Sequence, residues 1–409
     1  MDLSVRPDYR EQAEVNARLK QDDDADKAKI AVGELRPAPT FPSEHVTEEE
    51  LKEARERKRL LYLNLEFTRL CNLGCVGCFN YFEDVFRDFS DEQTHGPSDQ
   101  RGDLLAHEQI LDVMTQAARF GAKSVDLMGG GEPLAYKRFF DLVDHARTLG
   151  MQVETFTNGT LITEAVAKRM FESGVTPYVK VYSLDPALHD RMVNRKGAHA
   201  MVMRGIERLK AAGYGNDGAP AMAIETIIID SNIEELPDLW RFARNQGFLP
   251  YFERFVGCGY DGDSTRLPSP GRLKQLWEEI REIDRDEYGY TFPLLPLRIG
   301  YACGSPFYSV YVQCDGMVRP CSGTWAELGN VKETALSEIV RNSPVLKQLR
   351  DYKDGPGGWC AGCYYQSEYA CAGCRGQSTL LNGGIASDDP LCFHNPANLE
   401  RPHGGSIEP

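Results

Sequence analysis

Residues 60–260 alternate between short apolar runs and longer segments with a helical period. We predict strands at Leu61–Phe67, Ser124–Met128, Gln152–Thr157, Tyr178–Ser183, Ala223–Ile229 and Tyr251–Val256. Between them, apolar residues recur every three or four positions, which predicts helices at Ala106–Phe120, Arg138–Leu149, Glu164–Ser173, His199–Ala212 and Ile233–Gln246. Repeated strand–helix units form a parallel sheet with right-handed crossovers. The expected fold class is therefore α/β, as an open sheet or a partial (β/α)6 barrel, with its chemistry at the carboxyl ends of the strands.

The composition and charge of the chain exclude several classes of protein. The chain has 409 residues, 42% of them hydrophobic and 26% charged, which is typical of a soluble protein of about two to three domains. It contains no apolar run of about 18 residues, and its first twenty residues are too polar for a secretory signal, so we expect a cytoplasmic protein without a membrane span. The net charge of −15 disfavours nucleic acid as a partner.

The chain divides into five parts. Residues 1–59 hold 15 acidic and 12 basic side chains, which predicts a solvated extension that is helical near Thr47–Arg59, where Thr47 and Glu50 resemble a capping box. Residues 60–262 form the barrel, and residues 263–300 form a linker with a helix at Gly271–Asp284. Residues 301–397 form a cysteine-rich domain, in which Asp315-Gly316 predicts a hairpin. The tail from Asn398 to the end is expected to be disordered.

Twelve cysteines occur in a clustered pattern. Three lie at positions 71, 75 and 78, eight lie between Cys303 and Cys392, and Cys258 stands apart. Disulfides are disfavoured, because we find no export signal and a chain of this length can build a core without them. Zinc suits the pairs at 360/363 and 371/374, but it suits the triplet poorly because a structural zinc needs a fourth ligand nearby. For the triplet we favour an iron–sulfur cluster.

The triplet directly follows the first predicted strand, as Cys71-Asn-Leu-Gly-Cys75-Val-Gly-Cys78. Three thiolates in this loop can hold a cubane and leave one iron open to chelate a small molecule. The spacing resembles the signature of radical S-adenosylmethionine (radical SAM) enzymes, and a glycine–glutamate turn after the second strand and Asn158-Gly159 after the third agree with it. The resemblance implies that S-adenosylmethionine is bound by Phe79, Gly130, Gly131, Glu132, Asn158 and Ser183. Asn232, after the fifth strand, fits the same pattern or caps a helix.

The resemblance covers residues 60–260 and implies the chemistry. An electron enters the 4Fe-4S cluster from a flavodoxin or ferredoxin-type donor, and S-adenosylmethionine is cleaved reductively. The resulting 5′-deoxyadenosyl radical takes a hydrogen atom from an unactivated C–H bond. The protein's part is binding, orientation and exclusion of water and oxygen.

The C-terminal cysteines resemble the SPASM extension of the same superfamily. The resemblance implies two auxiliary 4Fe-4S clusters, an inner one on Cys303, Cys321 and Cys374 and an outer one on four other cysteines. The outer set is Cys360, Cys363, Cys371 and Cys392. The spacing around Cys371 departs from the family pattern, which leaves the ligation there open. Cys314 is a candidate fourth ligand of the inner cluster, or else a packed strand residue.

Several residues stay unassigned. If Cys258 faces the radical site it could return a hydrogen atom to a substrate radical, as in an epimerase; otherwise it is a small apolar filler. Charged residues interrupt apolar strands and line the barrel or lie at a surface edge; they are Lys180, Glu225, Glu253 and Arg254. Residues 81–102 form either a substrate lid or a solvated insertion.

The expected activity is that of a radical SAM/SPASM enzyme. The charged extension is too polar to be a winged-helix peptide-binding module, so we expect a small-molecule substrate such as a sugar or aminocyclitol, with dehydrogenation or epimerisation as the outcome. A peptide maturase that forms a crosslink or thioether is the alternative. A non-catalytic iron–sulfur or zinc protein is a further one, although the glycine–glutamate turn at 130–132 argues against a mere carrier.

Overall fold

The central element is a sheet whose six parallel barrel strands lie side by side in chain order. The computed structural model describes residues 9–41, 48–76, 78, 104–256, 267–300, 303–350, 357–382 and 384–399. The barrel strands are β2 (Tyr62–Leu65), β3 (Ser124–Leu127), β4 (Gln152–Thr157), β5 (Val175–Lys180), β6 (Ala223–Ile228) and β7 (Leu249–Arg254). Each of the six overlaps a predicted strand, and the α/β class is confirmed. The largest offset is β5, which begins at Val175 and not at Tyr178.

Helices follow the strands and pack their apolar faces on the sheet. They are α3 (His107–Arg119), α4 (Phe139–Thr148), α5 (Glu164–Glu172), α6 (Pro186–Met192), α7 (Ala198–Ala212) and α8 (Leu236–Asn245). The pattern predicted all of these except α6, which begins where the Asp185 carboxylate accepts hydrogen bonds from the backbone N–H groups of Ala187 and Leu188. A seven-residue helix is too short for its periodicity to stand out.

Three further strands extend the sheet beyond β2. They are β9 (Ser309–Val312), β10 (Met317–Arg319) and β11 (Gly329–Asn330), and the sheet order is β11-β10-β9-β2-β3-β4-β5-β6-β7. The hairpin predicted at Asp315-Gly316 is confirmed, with β9 antiparallel to β10 and Gly316 at a φ of 89°. β9 also pairs in parallel with β2. The cysteine-rich region is thus joined to the barrel by backbone hydrogen bonds, which the sequence did not predict.

Further helices lie after the barrel. They are α9 (Pro270–Ile283), α10 (Ser305–Tyr308), α11 (Leu336–Asn342), α12 (Pro344–Arg350), α13 (Tyr364–Tyr369), α14 (Arg375–Asn382) and α15 (Pro396–Leu399). The predicted linker helix is confirmed as α9. The expectation of disorder from Asn398 onward is wrong for Asn398 itself, because its buried amide donates to the backbone oxygens of Asp389 and Cys392. No helix among the described residues is long and apolar enough to cross a membrane.

The N-terminal segment packs against the rest of the protein. It contains α1 (Tyr9–Ala31), β1 (Arg36–Pro37), which pairs with β8 (Tyr290–Thr291), and α2 (Glu48–Glu56). α2 agrees with the predicted helix. The prediction of a solvated extension is wrong for residues 9–41, because a regularly spaced set of α1 side chains is buried: Gln12, Val15, Leu19, Asp23 and Asp26. Only two of these five side chains are apolar, so the sequence shows no apolar stripe from which the packing of α1 could be predicted.

The aromatic side chain of Phe41 closes part of the barrel interior. It is fully buried, stacks on Tyr178 of β5 at 4.8 Å between ring centroids, and meets the edge of Tyr251 of β7 at 5.4 Å. Phe156 of β4 also stacks on Tyr178, at 4.4 Å between ring centroids. Aromatic rings therefore fill this level of the barrel, and polar side chains occur farther along the same strands.

Candidate functional site

The cysteine loop leaves the carboxyl end of β2 and is held by the end of α6. The backbone N–H of Gly74 donates to the Val193 oxygen at 3.0 Å, and that of Val76 donates to the Met192 oxygen at 2.8 Å. The Arg195 guanidinium donates to the Asn72 oxygen at 3.2 Å. The unpredicted helix α6 thus fixes the loop that carries the three cysteines.

The structure brings the thiols of Cys71, Cys75 and Cys78 together. Burial raises the pKa of Cys71, and the neighbouring Cys75 and Cys78 thiols raise it further, together with the Glu132 carboxylate. Such mutual repulsion is relieved when thiolates bind a cationic metal centre. Three grouped sulfur donors fit a cluster with one open iron.

The glycine–glutamate turn after β3 packs directly on the segment that leads into this loop. A Cβ on Gly131 would lie 1.9 Å from the Leu70 backbone oxygen, and one on Gly130 would lie 2.9 Å from the Thr68 oxygen. The Glu132 N–H donates to the same Leu70 oxygen at 2.6 Å. Glycine is needed here because two backbone segments touch, in addition to any approach by a ligand.

The Glu132 carboxylate is used inside the protein. It is almost fully buried and accepts hydrogen bonds from the Thr157 hydroxyl at 2.6 Å and the backbone N–H groups of Asn158 at 2.7 Å and Leu134 at 3.1 Å. Burial raises its pKa to about 7, against these three donors. The carboxylate therefore joins the turn after β3 to the turn after β4, whereas the family resemblance implied that Glu132 binds S-adenosylmethionine.

Asn158 links the turn after β4 to the cysteine loop. Its amide donates to the Asn72 side-chain oxygen at 2.8 Å, and its own oxygen accepts from the Thr160 hydroxyl at 2.6 Å. The Asn72 amide donates back to the Thr160 hydroxyl at 2.8 Å. Sequence reasoning missed Asn72 and Thr160; the only signal was their polarity next to residues already singled out.

Ser183 and Asn232 are also engaged by the protein. The buried Ser183 hydroxyl donates to the Glu235 carboxylate and accepts from the Asp185 N–H at 2.8 Å. The Asn232 amide donates to the backbone oxygens of Tyr182 and Ile227, both at 3.0 Å, and it makes no helix-capping bond. Asn232 thus ties together the ends of β5 and β6. Phe79, Cys258 and residues 81–102 lie outside the described residues.

A charged layer lies inside the barrel near the cysteine loop. The Lys180 ammonium pairs with Glu225 at 2.9 Å, and Arg298 pairs with Glu253 at 3.1 Å. Burial lowers the pKa of Lys180, but Glu225, Tyr182 and Cys75 together outweigh burial and raise the pKa overall. Three of the four charged strand residues therefore line the barrel. Arg254 follows Glu253 on β7 and points to the opposite face, since strand side chains alternate.

In the C-terminal region the structure groups the cysteines into two sets. Apart from burial, the largest influences that raise the pKa of Cys321 are the thiols of Cys303 and Cys374, which defines the inner set. The pKa of Cys392 is raised by burial and by an outer set of neighbours, Cys360, Cys363 and Cys371. Among the described residues, no three His, Cys, Asp or Glu side chains converge as a single-ion site requires. The SPASM resemblance implied these same sets as cluster ligands, and that ligation stays a prediction.

Cys314 lies elsewhere. It is buried, and apart from burial the groups that most affect its pKa are Glu66, Arg69 and Asp315, with no inner-set thiol among them. Its N–H donates to the Glu66 carboxylate at 3.4 Å, beside the segment that leads into the first cysteine loop. The described contacts of Cys314 are therefore with the segment that follows β2, and its role as a ligand of the inner cluster stays a prediction.

The fold and the grouped thiols define an iron–sulfur enzyme built from a catalytic barrel and a second cluster-binding domain. Comparison with known families gives the same result: residues 65–243 match the radical SAM superfamily, and residues 303–364 match the SPASM iron–sulfur cluster-binding domain. The chain belongs to the radical SAM superfamily, in its SPASM-domain group. It is an enzyme that uses S-adenosylmethionine, a 4Fe-4S cluster in the barrel and auxiliary iron–sulfur clusters.

Relatives support this membership along most of the chain. The AdoMet-dependent heme synthase of Methanosarcina barkeri is 24% identical over 81% of this chain and 95% of its own length. The PqqA peptide cyclase of Gluconobacter oxydans is 26% identical over 81% of this chain and 90% of its own. Streptococcus suis SuiB, solved with its precursor peptide SuiA, has a TM-score of 0.60 at 16% identity, over 92% of this chain and 88% of its own.

Proposed function

We propose that this enzyme is a peptide maturase, which forms a crosslink or thioether in a peptide substrate. The observation that carries the proposal is the similarity across both domains to a protein named as a peptide cyclase. The similar fold of SuiB, which was solved with a precursor peptide bound, is compatible with it. Within this proposal residues 60–262 are the catalytic barrel and residues 301–397 the auxiliary-cluster domain.

The barrel cluster with S-adenosylmethionine supplies a radical that removes a hydrogen atom from the substrate. Cys71, Cys75 and Cys78 would hold that cluster, and the bonds of Asn72 and Glu132 would keep its loop fixed against the turns after β3 and β4. The Lys180–Glu225 pair, which lies within electrostatic range of Cys75, would orient a polar group of the substrate. Charged groups act strongly there because the site is largely shielded from water.

Crosslinking removes two hydrogen atoms from the peptide, so after the first hydrogen atom has gone to the 5′-deoxyadenosyl radical, one electron and one proton must leave; the proton goes to solvent. The two thiol sets of the C-terminal domain would hold auxiliary clusters, which would supply an acceptor for this electron. A flavodoxin or ferredoxin-type protein would reduce the barrel cluster. In this proposal the barrel cysteines serve radical generation and the C-terminal cysteines serve electron transfer, and a carrier protein would not need the first role.

The test is turnover with peptides. The anaerobically reconstituted enzyme, S-adenosylmethionine and reductant are incubated with each short peptide encoded beside the gene, and products are analysed by mass spectrometry. We expect 5′-deoxyadenosine and a peptide that has lost two hydrogen atoms, both absent in Cys75→Ala. If 5′-deoxyadenosine forms at the same rate without any peptide, and every peptide returns unchanged, the peptide proposal fails.

A second candidate is dehydrogenation or epimerisation of a small molecule. The observation that favours it is α1, since the described part of the N-terminal segment is a helix packed on the C-terminal domain and not a separate peptide-binding module. A relative named as a heme synthase, matched over 95% of its length, agrees with a non-peptide substrate. Stimulation of 5′-deoxyadenosine formation by small-molecule extracts freed of peptides would favour this candidate.

A further inference from the structure

Two arginines beside the C-terminal cysteines, one on the last barrel strand and one in the cysteine-rich domain, are buried with incomplete sets of hydrogen-bond partners. Arg254 of β7 has a fully buried side chain, and its Nη2 donates to both Asp389 oxygens, at 2.7 and 3.0 Å. Arg375, the first residue of α14, donates from Nη1 to the backbone oxygens of Ile385 at 2.9 Å and Ser387 at 2.7 Å. Within the described part of the chain, the other two nitrogens of each guanidinium have no acceptor.

Such orphaned donors need an explanation. A buried polar group without a partner costs about 1–3 kcal/mol, and more when it is charged. Arginine stays protonated at any ordinary pH, so Arg254 and Arg375 cannot escape this cost by losing a proton. A ligand that accepts hydrogen bonds and carries negative charge would remove it.

The cysteines surround these donors. Asp389, which holds Arg254, accepts a hydrogen bond from the Cys374 N–H at 2.8 Å, and the Asp389 backbone oxygen accepts from the Cys392 N–H at 3.2 Å. The thiols of Cys374 and Cys392 act electrostatically on Arg254. Arg254 therefore lies where the inner and outer cysteine sets meet.

Arg375 lies beside the outer set. It follows Cys374 directly, and its positive charge acts on Cys360 and Cys371, where it opposes the effect of burial. A Cβ on Gly373 would be 3.3 Å from its Nη2 and 2.6 Å from the Asp389 Cβ, so the arginine is packed into the same turn. The guanidinium fork is thus held between the loop of Cys371–Cys374 and the residues that precede Cys392.

We propose that Arg254 and Arg375 are positioning residues that donate N–H···S hydrogen bonds and positive charge to the auxiliary clusters and so raise their reduction potentials. Hydrogen bonds to cluster sulfurs, net charge and burial set these potentials. Among the described residues Arg375 donates its hydrogen bonds to backbone oxygens, whereas Arg254 is paired with the Asp389 carboxylate. The outer cluster, beside both arginines, is therefore expected to depend most on Arg375. Nothing in this inference depends on the substrate.

The test is a potentiometric titration of the anaerobically reconstituted full chain, followed by electron paramagnetic resonance. The variants are Arg375→Gln and Arg254→Gln. The matched control is Arg244→Gln, since Arg244 is also a buried arginine paired with an aspartate, Asp284 at 2.6 Å, but packs against Trp240 and Tyr290. The radical SAM cluster is recognised by the response of its signal to S-adenosylmethionine.

In Arg375→Gln we expect the ratio of reduced to oxidised auxiliary cluster at a fixed potential to fall about tenfold, which is 59 mV for a one-electron couple. Arg254→Gln is expected to shift both auxiliary clusters by less, and the radical SAM cluster and the control are expected to stay unchanged. Wild-type auxiliary potentials in a fully loaded Arg375→Gln overturn the proposal, and so does an equal shift of the radical SAM cluster. If the glutamine variant does not retain its iron, Arg375→Lys replaces it; a smaller fall supports the proposal, and no fall overturns it.

Discussion

Gly131→Ala would force apart the turn after β3 and the segment that leads from β2 into the cysteine loop. The added Cβ would lie 1.9 Å from the Leu70 oxygen and 2.4 Å from its carbonyl carbon, so the turn and this segment must separate by about 1 Å or more. The atoms in the way belong to the backbone, and no side chain can rotate to make room. The same movement breaks the 2.6 Å hydrogen bond from the Glu132 N–H to Leu70.

The size of the effect follows from these two terms. Overpacking of a filled site costs about 1–3 kcal/mol. Loss of a buried backbone hydrogen bond adds about 1–3 kcal/mol. For a barrel domain of this size, the apparent melting temperature should fall on the order of 10 °C. Because Leu70 directly precedes Cys71, the cluster loop moves too, and S-adenosylmethionine cleavage should fall by more than tenfold.

Thermal unfolding of the reconstituted enzyme and 5′-deoxyadenosine formation measure both effects. The matched control is Gly271→Ala in the first turn of α9, where an added Cβ meets nothing within 4 Å. Alanine is the better helix former by about 0.5–1 kcal/mol, so the control should be as stable as the wild type or slightly more so. The reasoning is refuted if the two variants melt at the same temperature and cleave S-adenosylmethionine at the wild-type rate.

Other predictions concern the pH dependence, the N-terminal helix and one unassigned cysteine. Burial lowers the pKa of His189 to about 4, and its ring accepts a hydrogen bond from the Tyr182 N–H at 3.3 Å. The neutral ring therefore stabilises the fold above pH ~6.5, and up to about 3 kcal/mol of this stability is lost as the pH falls toward 4. Urea unfolding between pH 7.5 and 4.5 should show this loss in the wild type and less of it in His189→Gln; equal losses would contradict the assignment. Asp23→Ala removes the carboxylate that accepts hydrogen bonds from the Tyr364 and Tyr369 hydroxyls, and it should speed limited proteolysis of α1. The control Asp24→Ala, at the exposed neighbouring position, should not change the rate. Equal rates in the two variants would show that these bonds do not hold α1 in place. If Cys258 donates a hydrogen atom, product formed in deuterium oxide carries deuterium and Cys258→Ala forms 5′-deoxyadenosine without product; a wild-type product free of deuterium would rule this out.

Local patterns predicted most of the barrel because the apolar periodicity of a strand or a helix is visible within a short stretch of sequence. The exceptions have local reasons. The prediction missed the first three residues of β5, Val175 to Pro177, because proline normally argues against a central strand. α6 was missed because two turns of helix carry too little periodicity. α1 was missed as a packed element because its buried face is mostly polar and is held by hydrogen bonds, such as those from Gln12 to the backbone oxygens of Trp359 and Ala361.

The roles of individual site residues were less predictable than their positions. The sequence predicted that Glu132 lies at the site, but its partners on the turn after β4 are decided by how two strand ends meet. Glu253 and Arg254 looked alike in sequence, yet one lines the barrel and the other reaches the cluster domain. Alternation along a strand separates the two faces, and only the tertiary structure shows what each face meets.

The sequence by itself determined the class of this protein, because cysteine spacing within a loop limits which thiols can share a cluster, and strand–helix alternation limits the fold to a parallel sheet. The tertiary structure decided which distant residues complete the sites. Asp389 meets Arg254 across 135 residues of chain, and the Cys374 N–H donates to the same carboxylate. Such pairings depend on the path of the backbone between them, which local spacing does not encode.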